Sequence, residues 1–141
     1  MKRIEFMKRT FAVAALALLV CGCGGGQTQH ETFMVKGLVT FNGEPVTEGL
    51  VVFEDKTNGR TGEGEIAGDG LYRVRVGKGS YAVRISPPMV EIDEGPDSPP
   101  SIDYKKMANI PDKYRGQQSG FIVDVTGDMD SGADLAMTGG K

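Results

Sequence analysis

Between Asp69 and Ser86 the chain alternates apolar and polar residues almost without exception. Tyr72, Val74 and Val76 fall on one side of Leu71 to Val76, with Arg73 and Arg75 on the other; Tyr81, Val83 and Ile85 then repeat the pattern against Arg84. A period of two is that of a pleated strand, and no helix gathers such residues on one face. Asp69-Gly70 precedes the first run as a hairpin signal of type I′, whose two central residues both need positive φ. Gly77-Lys78-Gly79 predicts a second tight reversal, with Gly79 at a turn position that a Cβ would block. Alternation of this kind says that one face is buried and the other wet.

Similar runs recur along the chain at Phe33 to Phe41, Gly49 to Asp55, Gly62 to Ala67, Gly120 to Thr126 and Ala133 to Thr138. Asn42-Gly43 supplies a turn after the first, where Gly43 favours positive φ, and Pro45 is expected to end the ladder. Seven short strands at this spacing predict an all-β fold, an antiparallel seven-stranded Greek-key sandwich spanning residues 33–138. Residues 87–119 interrupt it before the last two strands. Pro87, Pro88, Pro96, Pro99, Pro100 and Pro111 stud this segment beside Glu91, Asp93, Glu94, Asp97 and Asp103. It reads as a long insertion without regular structure, lying across a sheet edge or projecting as an arm. Met89, Ile92, Tyr104, Met107, Ile110 and Tyr114 are its expected apolar anchors.

The N-terminal residues belong to a different chemistry. Lys2, Arg3, Lys8 and Arg9 precede the apolar run Phe11 to Val20, which small residues follow. That is the order of a secretory signal, and about ten apolar residues are too few to span a ~30 Å hydrocarbon core. Glu5 sits awkwardly in a basic leader, and a start at Met7 removes it. Residues 1–22 therefore read as a signal peptide and 23–32, opening Cys23-Gly24-Gly25-Gly26, as a flexible tether. Removal of residues 1–22 leaves 119 residues with 12 basic and 18 acidic side chains, a net charge of −6. Such a balance repels phosphate backbones, so nucleic acid is not an expected partner.

Val20-Cys21-Gly22-Cys23 resembles the lipobox of bacterial lipoproteins, with Val20 in place of the commoner leucine. The resemblance implies acylation at Cys23 by fatty-acyl chains such as palmitate, and attachment to a membrane through them. Gly24 is not the aspartate associated with inner-membrane retention, so the expected place is the outer membrane, facing the periplasm. Within the body of the chain, Val35-Lys36-Gly37-Leu38-Val39, Gly43-Glu44-Pro45-Val46, Asp69-Gly70-Leu71-Tyr72 and Gly79-Ser80-Tyr81-Ala82-Val83 look like the carboxypeptidase regulatory-like domain. That family implies a transthyretin-like (prealbumin-like) sandwich. Ile110-Pro111-Asp112-Lys113-Tyr114 resembles the second half of small lipoproteins that carry the domain.

Catalytic chemistry finds few residues to work with. His30 is the one histidine, and it falls in the tether, whereas a triad or zinc site needs an imidazole held on a rigid element. Both cysteines lie at the signal junction, so no thiol is left for nucleophilic work. Tyr114-Arg115-Gly116 shares three residues with the Tyr-Arg-Gly-Ser ending of the transthyretin-like hydroxyisourate hydrolases. Gln117 follows instead, and the catalytic histidines of that family are missing. The carboxylate pairs Glu63/Glu65 and Asp93/Glu94 read as solvated surface. Asp128, Asp130 and Asp134 alternate on a tight turn and form a candidate Ca²⁺ set, though the spacing departs from an EF-hand loop. Arg73, Arg75 and Arg84 are expected to pair with nearby glutamates across strands.

These residues point to no enzyme and no cofactor. They lead to a membrane-anchored envelope lipoprotein acting as a structural or protein-interaction module, with other envelope proteins as partners. The alternative is a module for carbohydrate or peptidoglycan fragments, for which Tyr104 and Tyr114 are the aromatic candidates.

Overall fold

A computed structural model describes residues 30–139. They form ten strands: β1 (Thr32–Phe41), β2 (Glu44–Pro45), β3 (Leu50–Asp55), β4 (Thr61–Glu65), β5 (Leu71–Gly77), β6 (Gly79–Ser86), β7 (Met89–Ile92), β8 (Ser101–Tyr104), β9 (Phe121–Val125) and β10 (Leu135–Met137). A 3-10 turn at Asp112–Tyr114 is the one helical element among the described residues. The chain is all-β, with every run of alternation found as a strand.

One four-stranded sheet is built around β1, which pairs antiparallel with β5 from Thr32 to Leu38 and with β2 at Thr40 and Phe41. The second runs β4-β3-β6-β9, antiparallel throughout. Alternation fixes which side chains turn inward. Val35 and Val39 of β1, Tyr72, Val74 and Val76 of β5, Phe53 of β3, and Tyr81, Val83 and Ile85 of β6 join one buried apolar cluster drawn from both sheets. The Tyr81 hydroxyl escapes burial without a partner by donating to the Gly77 carbonyl at 2.9 Å. Phe53 packs between Tyr72 and Tyr81, with ring centroids 6.1 and 5.8 Å away.

The chain passes from the second sheet to the first through the turn between β4 and β5. A Cβ on Gly64 would fall on the Arg73 carbonyl, so glycine is what allows these two edge strands to lie backbone against backbone. In this turn Gly70 has φ +84° and its N–H donates to Ala67 O at 2.8 Å, but Asp69 is not left-handed. A three-residue loop ending in a left-handed glycine thus replaces the expected type I′ pair. Asn42 and Gly43 do take positive φ together, at 51° and 87°. Gly79 is no turn residue: it opens β6 opposite Val125, and the atom nearest an added Cβ would be Oδ2 of Asp55.

Two further expectations are corrected. β10 joins β1 in parallel, with Val39 opposite Leu135, because the chain crosses from β9 before laying down its last strand. Pro45 ends the ladder as expected: it is the last residue of the two-residue β2, opposite Thr40. The proline-rich segment holds regular structure, since β7 and β8 pair antiparallel from Met89–Tyr104 to Ile92–Ser101 as a separate two-stranded sheet.

Candidate interaction surface

The β7–β8 hairpin is where the apolar surface of the molecule concentrates. Large apolar side chains stand exposed at Met89, Val90, Ile92, Ile102 and Tyr104, and elsewhere among the described residues only at Leu71 and Ile122. Ile102 is 73 % exposed and Tyr104 51 %. The register places Met89 opposite Tyr104 and Glu91 opposite Ile102, so Met89, Ile102 and Tyr104 share one face of the ribbon. Val90 and Ile92 lie on the other face. An isolated two-stranded ribbon is marginal in water, and scattered apolar residues are ordinary where a contiguous patch is not.

Local chemistry holds the ribbon in shape. The Asp93 carboxylate accepts the Gly95 N–H at 2.9 Å, and Glu94 accepts the Ser101 hydroxyl at 2.8 Å. The acidic pair therefore ties the turn and forms no acid–base dyad. At the base, Lys105 N donates to Pro88 O at 2.8 Å and its ammonium meets Glu48 at 2.5 Å. From Pro87 to Tyr104 the chain carries Glu91, Asp93, Glu94, Asp97 and Asp103 and no lysine or arginine. The arm is thus both apolar and strongly acidic.

The return from the arm is anchored by the second half of the segment. Ile110 is fully buried and Tyr114 nearly so, stacked on Phe121 at 5.2 Å, while Met89, Ile92 and Tyr104 are not the anchors expected of them. Arg115 donates to the carbonyls of Ile110 and Met107 and pairs with Asp112. Tyr114-Arg115-Gly116 is accordingly a clamp between the 3-10 turn and the end of β10, where the Tyr114 oxygen meets Thr138. Hydrogen bonds from the Thr138 hydroxyl and backbone N–H, with Lys113 nearby, pull that phenol down to about 8.

The acidic trio proposed for calcium is spread along the open edge of β1. Asp128 accepts the Met34 N–H at 2.7 Å, Asp134 accepts the Leu38 N–H at 2.9 Å, and Asp130 pairs with the Lys36 ammonium at 2.5 Å. Asp128 and Asp134 satisfy backbone donors that β10 is too short to reach, Asp130 pairs only with a side chain, and among the described residues no three His, Cys, Asp or Glu side chains gather as a metal group. Glu63 and Glu65 point outward from β4. Arg73 and Arg75 lie on β5 and Arg84 in the other sheet, so they form no single stripe, and none makes an ion pair among the described residues. His30 is exposed, with Nε2 3.0 Å from Arg60. Cys23 and the signal segment lie outside the described residues.

Asp55 went unnoticed in the sequence. It is a carboxylate only 5 % exposed at the end of β3. Its oxygens accept the N–H groups of Thr57 and Asn58 and the Asn58 side-chain amide. The pattern Asp-Lys-Thr-Asn-Gly was the available signal, since an Asp that bonds forward to its own backbone marks a turn. No protein-family model, curated protein or solved structure matches the chain.

Proposed function

We propose that this chain is a non-catalytic envelope lipoprotein, tethered through Cys23 to the outer membrane on its periplasmic side, that presents the β7–β8 arm to a protein partner. Its body reads as a transthyretin-like Greek-key sandwich of the carboxypeptidase regulatory-like kind. In support of that architecture, the inward faces of two mostly antiparallel sheets share one apolar cluster. The observation that carries the function is the concentration of exposed apolar side chains on a ribbon that also bears five carboxylates. Apolar area supplies affinity and a single sign of charge selects orientation, so the partner has an apolar patch with a basic rim. Anionic lipid is a poor match for the same ribbon.

A carbohydrate module remains the second reading, favoured by the half-exposed Tyr104 ring beside a shallow cleft with Asp103, Lys106 and Arg115. Tyr114 contributes nothing to it, because its ring is buried in the clamp.

Two measurements test the proposal separately. Intact mass of the membrane fraction should show an acylated chain beginning at Cys23, lost with membrane association in Cys23→Ser; an unmodified soluble wild type sinks the tether. A photo-crosslinking residue at position 102 should give a discrete protein adduct in intact cells, abolished by Met89→Ser with Tyr104→Ser. An adduct equally strong from position 63 on the outward face of β4 would sink the arm.

A further inference from the structure

The opposite end of β6 carries a second surface that the interaction reading does not use. The start of β1, the turn from β3 to β4 and the turn from β5 to β6 enclose a cleft of about 410 Å³. Arg60, Arg75, Lys78 and His30 line it, each from a different element or turn. None of Arg60, Arg75 and Lys78 has a carboxylate partner among the described residues. Asp55, the one acidic residue in the lining, is buried and already accepts three hydrogen bonds from Thr57 and Asn58. Gathering like charges without counterions costs stability unless an anion completes the set.

We infer that this cleft binds a phosphate group. Two arginines and a lysine lining one cleft from separate elements suit the several oxygens of a phosphate, whereas a lone carboxylate is satisfied by one arginine fork. The Thr32 and Thr61 side chains at the same cleft offer neutral donors beside the cations. His30, through Nε2, lies 3.0 Å from the Arg60 guanidinium and so restrains one of the three cations. The cleft opens where the chain arrives from residue 23, and a reach of seven residues covers at most about 25 Å. A phosphate in the headgroup layer therefore lies within range of a domain tethered at Cys23, as does a free phosphate ester. Headgroup capture would rest on the tether proposed above; the phosphate site itself would not.

The test uses the full chain carrying Cys23→Ser, so that no acyl chain contributes. Inorganic phosphate and glycerol 3-phosphate are titrated at constant ionic strength while backbone amide resonances are followed. Saturable shifts confined to residues around Thr32, Arg60 and Lys78 are expected. The affinity should fall by about tenfold or more in Arg60→Gln with Lys78→Gln and stay unchanged in Arg84→Gln with Lys106→Gln, which removes the same charge elsewhere. Shifts that never saturate, or that both double variants weaken alike, would overturn the site. Sedimentation with vesicles then identifies the source. Retention on phosphatidylglycerol vesicles but not on phosphatidylcholine, lost in the cleft variant, assigns a headgroup; saturable glycerol 3-phosphate binding without vesicle retention assigns a soluble ester. Because the chain is unlipidated throughout, a failed titration speaks to the cleft and a failed mass measurement to the tether.

Discussion

The two ends of β6 hold opposite surfaces by different means. At Gly79 three basic residues line a cleft beside a buried carboxylate, and the turn that carries Arg60 is held by hydrogen bonds that Asp55 accepts from Thr57 and Asn58. At Ser86, roughly 23 Å along the strand at the usual rise per residue, an acidic ribbon leaves the body, held by its own ladder and one ion pair. A formal net charge of −3 describes neither end. What a partner meets is the local arrangement, and the fold separates the signs along one strand. The cleft end is built into the core, whereas the arm is built onto it, and the responses to substitution should differ accordingly.

The largest effect should come from the strand that both ends share. Val83 is fully buried in β6 between β3 and β9. Val83→Asp places an unpaired carboxylate in the apolar cluster at a cost of roughly 4 kcal/mol or more, against a total of ~5–15 kcal/mol for a domain. Thermal melting should show it largely unfolded at 37 °C, with both surfaces lost together. A melting temperature within a few degrees of wild type would mean that the two ends do not depend on a common core.

Asp55→Ala should separate the ends. Thr57, Asn58 N–H and the Asn58 amide lose their acceptor, for about 1–3 kcal/mol of stability. Amide exchange should quicken at Thr57 and Asn58 while Val90 and Asp103 in the arm keep their rates. Equal quickening in the arm would show that the two ends are coupled through the sheet.

A smaller and pH-dependent effect belongs to the clamp behind the arm. The Tyr114 phenol ionises near 8 in the folded chain, below its ordinary 10.0, because Thr138 and Lys113 favour the phenolate. An acid with a lowered folded pKa adds stability that is complete above 10 and lost as pH falls through 8. Tyr72 acts in the reverse sense: burial pushes its hydroxyl up, helped by Asp134, so its contribution is lost as pH rises above 10. Absorbance at 295 nm should therefore show one tyrosinate forming near pH 8, missing from Tyr114→Phe, with unfolding resistance rising from pH 8 to 10. A titration with no step below pH 9 would refute the clamp's electrostatics.

Much of this architecture is legible in the chain because alternation reports the pleat directly. Tyr72, Val74, Val76, Tyr81, Val83 and Ile85 all turn inward as the period of two requires. The same signal failed in the proline-rich segment. Met89 to Ile92 spans four residues, too short a run to display a period, and its neighbours Pro87 and Pro88 argue against a ladder. The parallel β10 was hidden because strand direction depends on where the chain crosses, which no local pattern encodes. The roles of Asp128, Asp130 and Asp134 were hidden likewise: an acidic turn looks the same whether it waits for a cation or caps the open edge of β1. The cleft was illegible for a related reason, since Arg60 comes beside Arg75 and Lys78 only where the β3–β4 turn lies against the end of β5.

The smallest stability effect is expected where the binding effect is greatest. Ile102 is the most exposed large apolar side chain of the arm and contributes to no buried cluster. Ile102→Ser should change unfolding free energy by no more than about 0.5 kcal/mol, because the side chain is already in water and the strand is outside the core. In a partner interface the same side chain would lie at the centre of the apolar face with Met89 and Tyr104, where truncation of a buried anchor commonly costs about 2 kcal/mol or more. The ratio of these two numbers is what distinguishes a surface kept for recognition from one that merely covers the fold. If Ile102→Ser instead lowered the melting temperature as much as Asp55→Ala, the ribbon would be packing on the body of the protein, and its apolar face would need no partner to account for it.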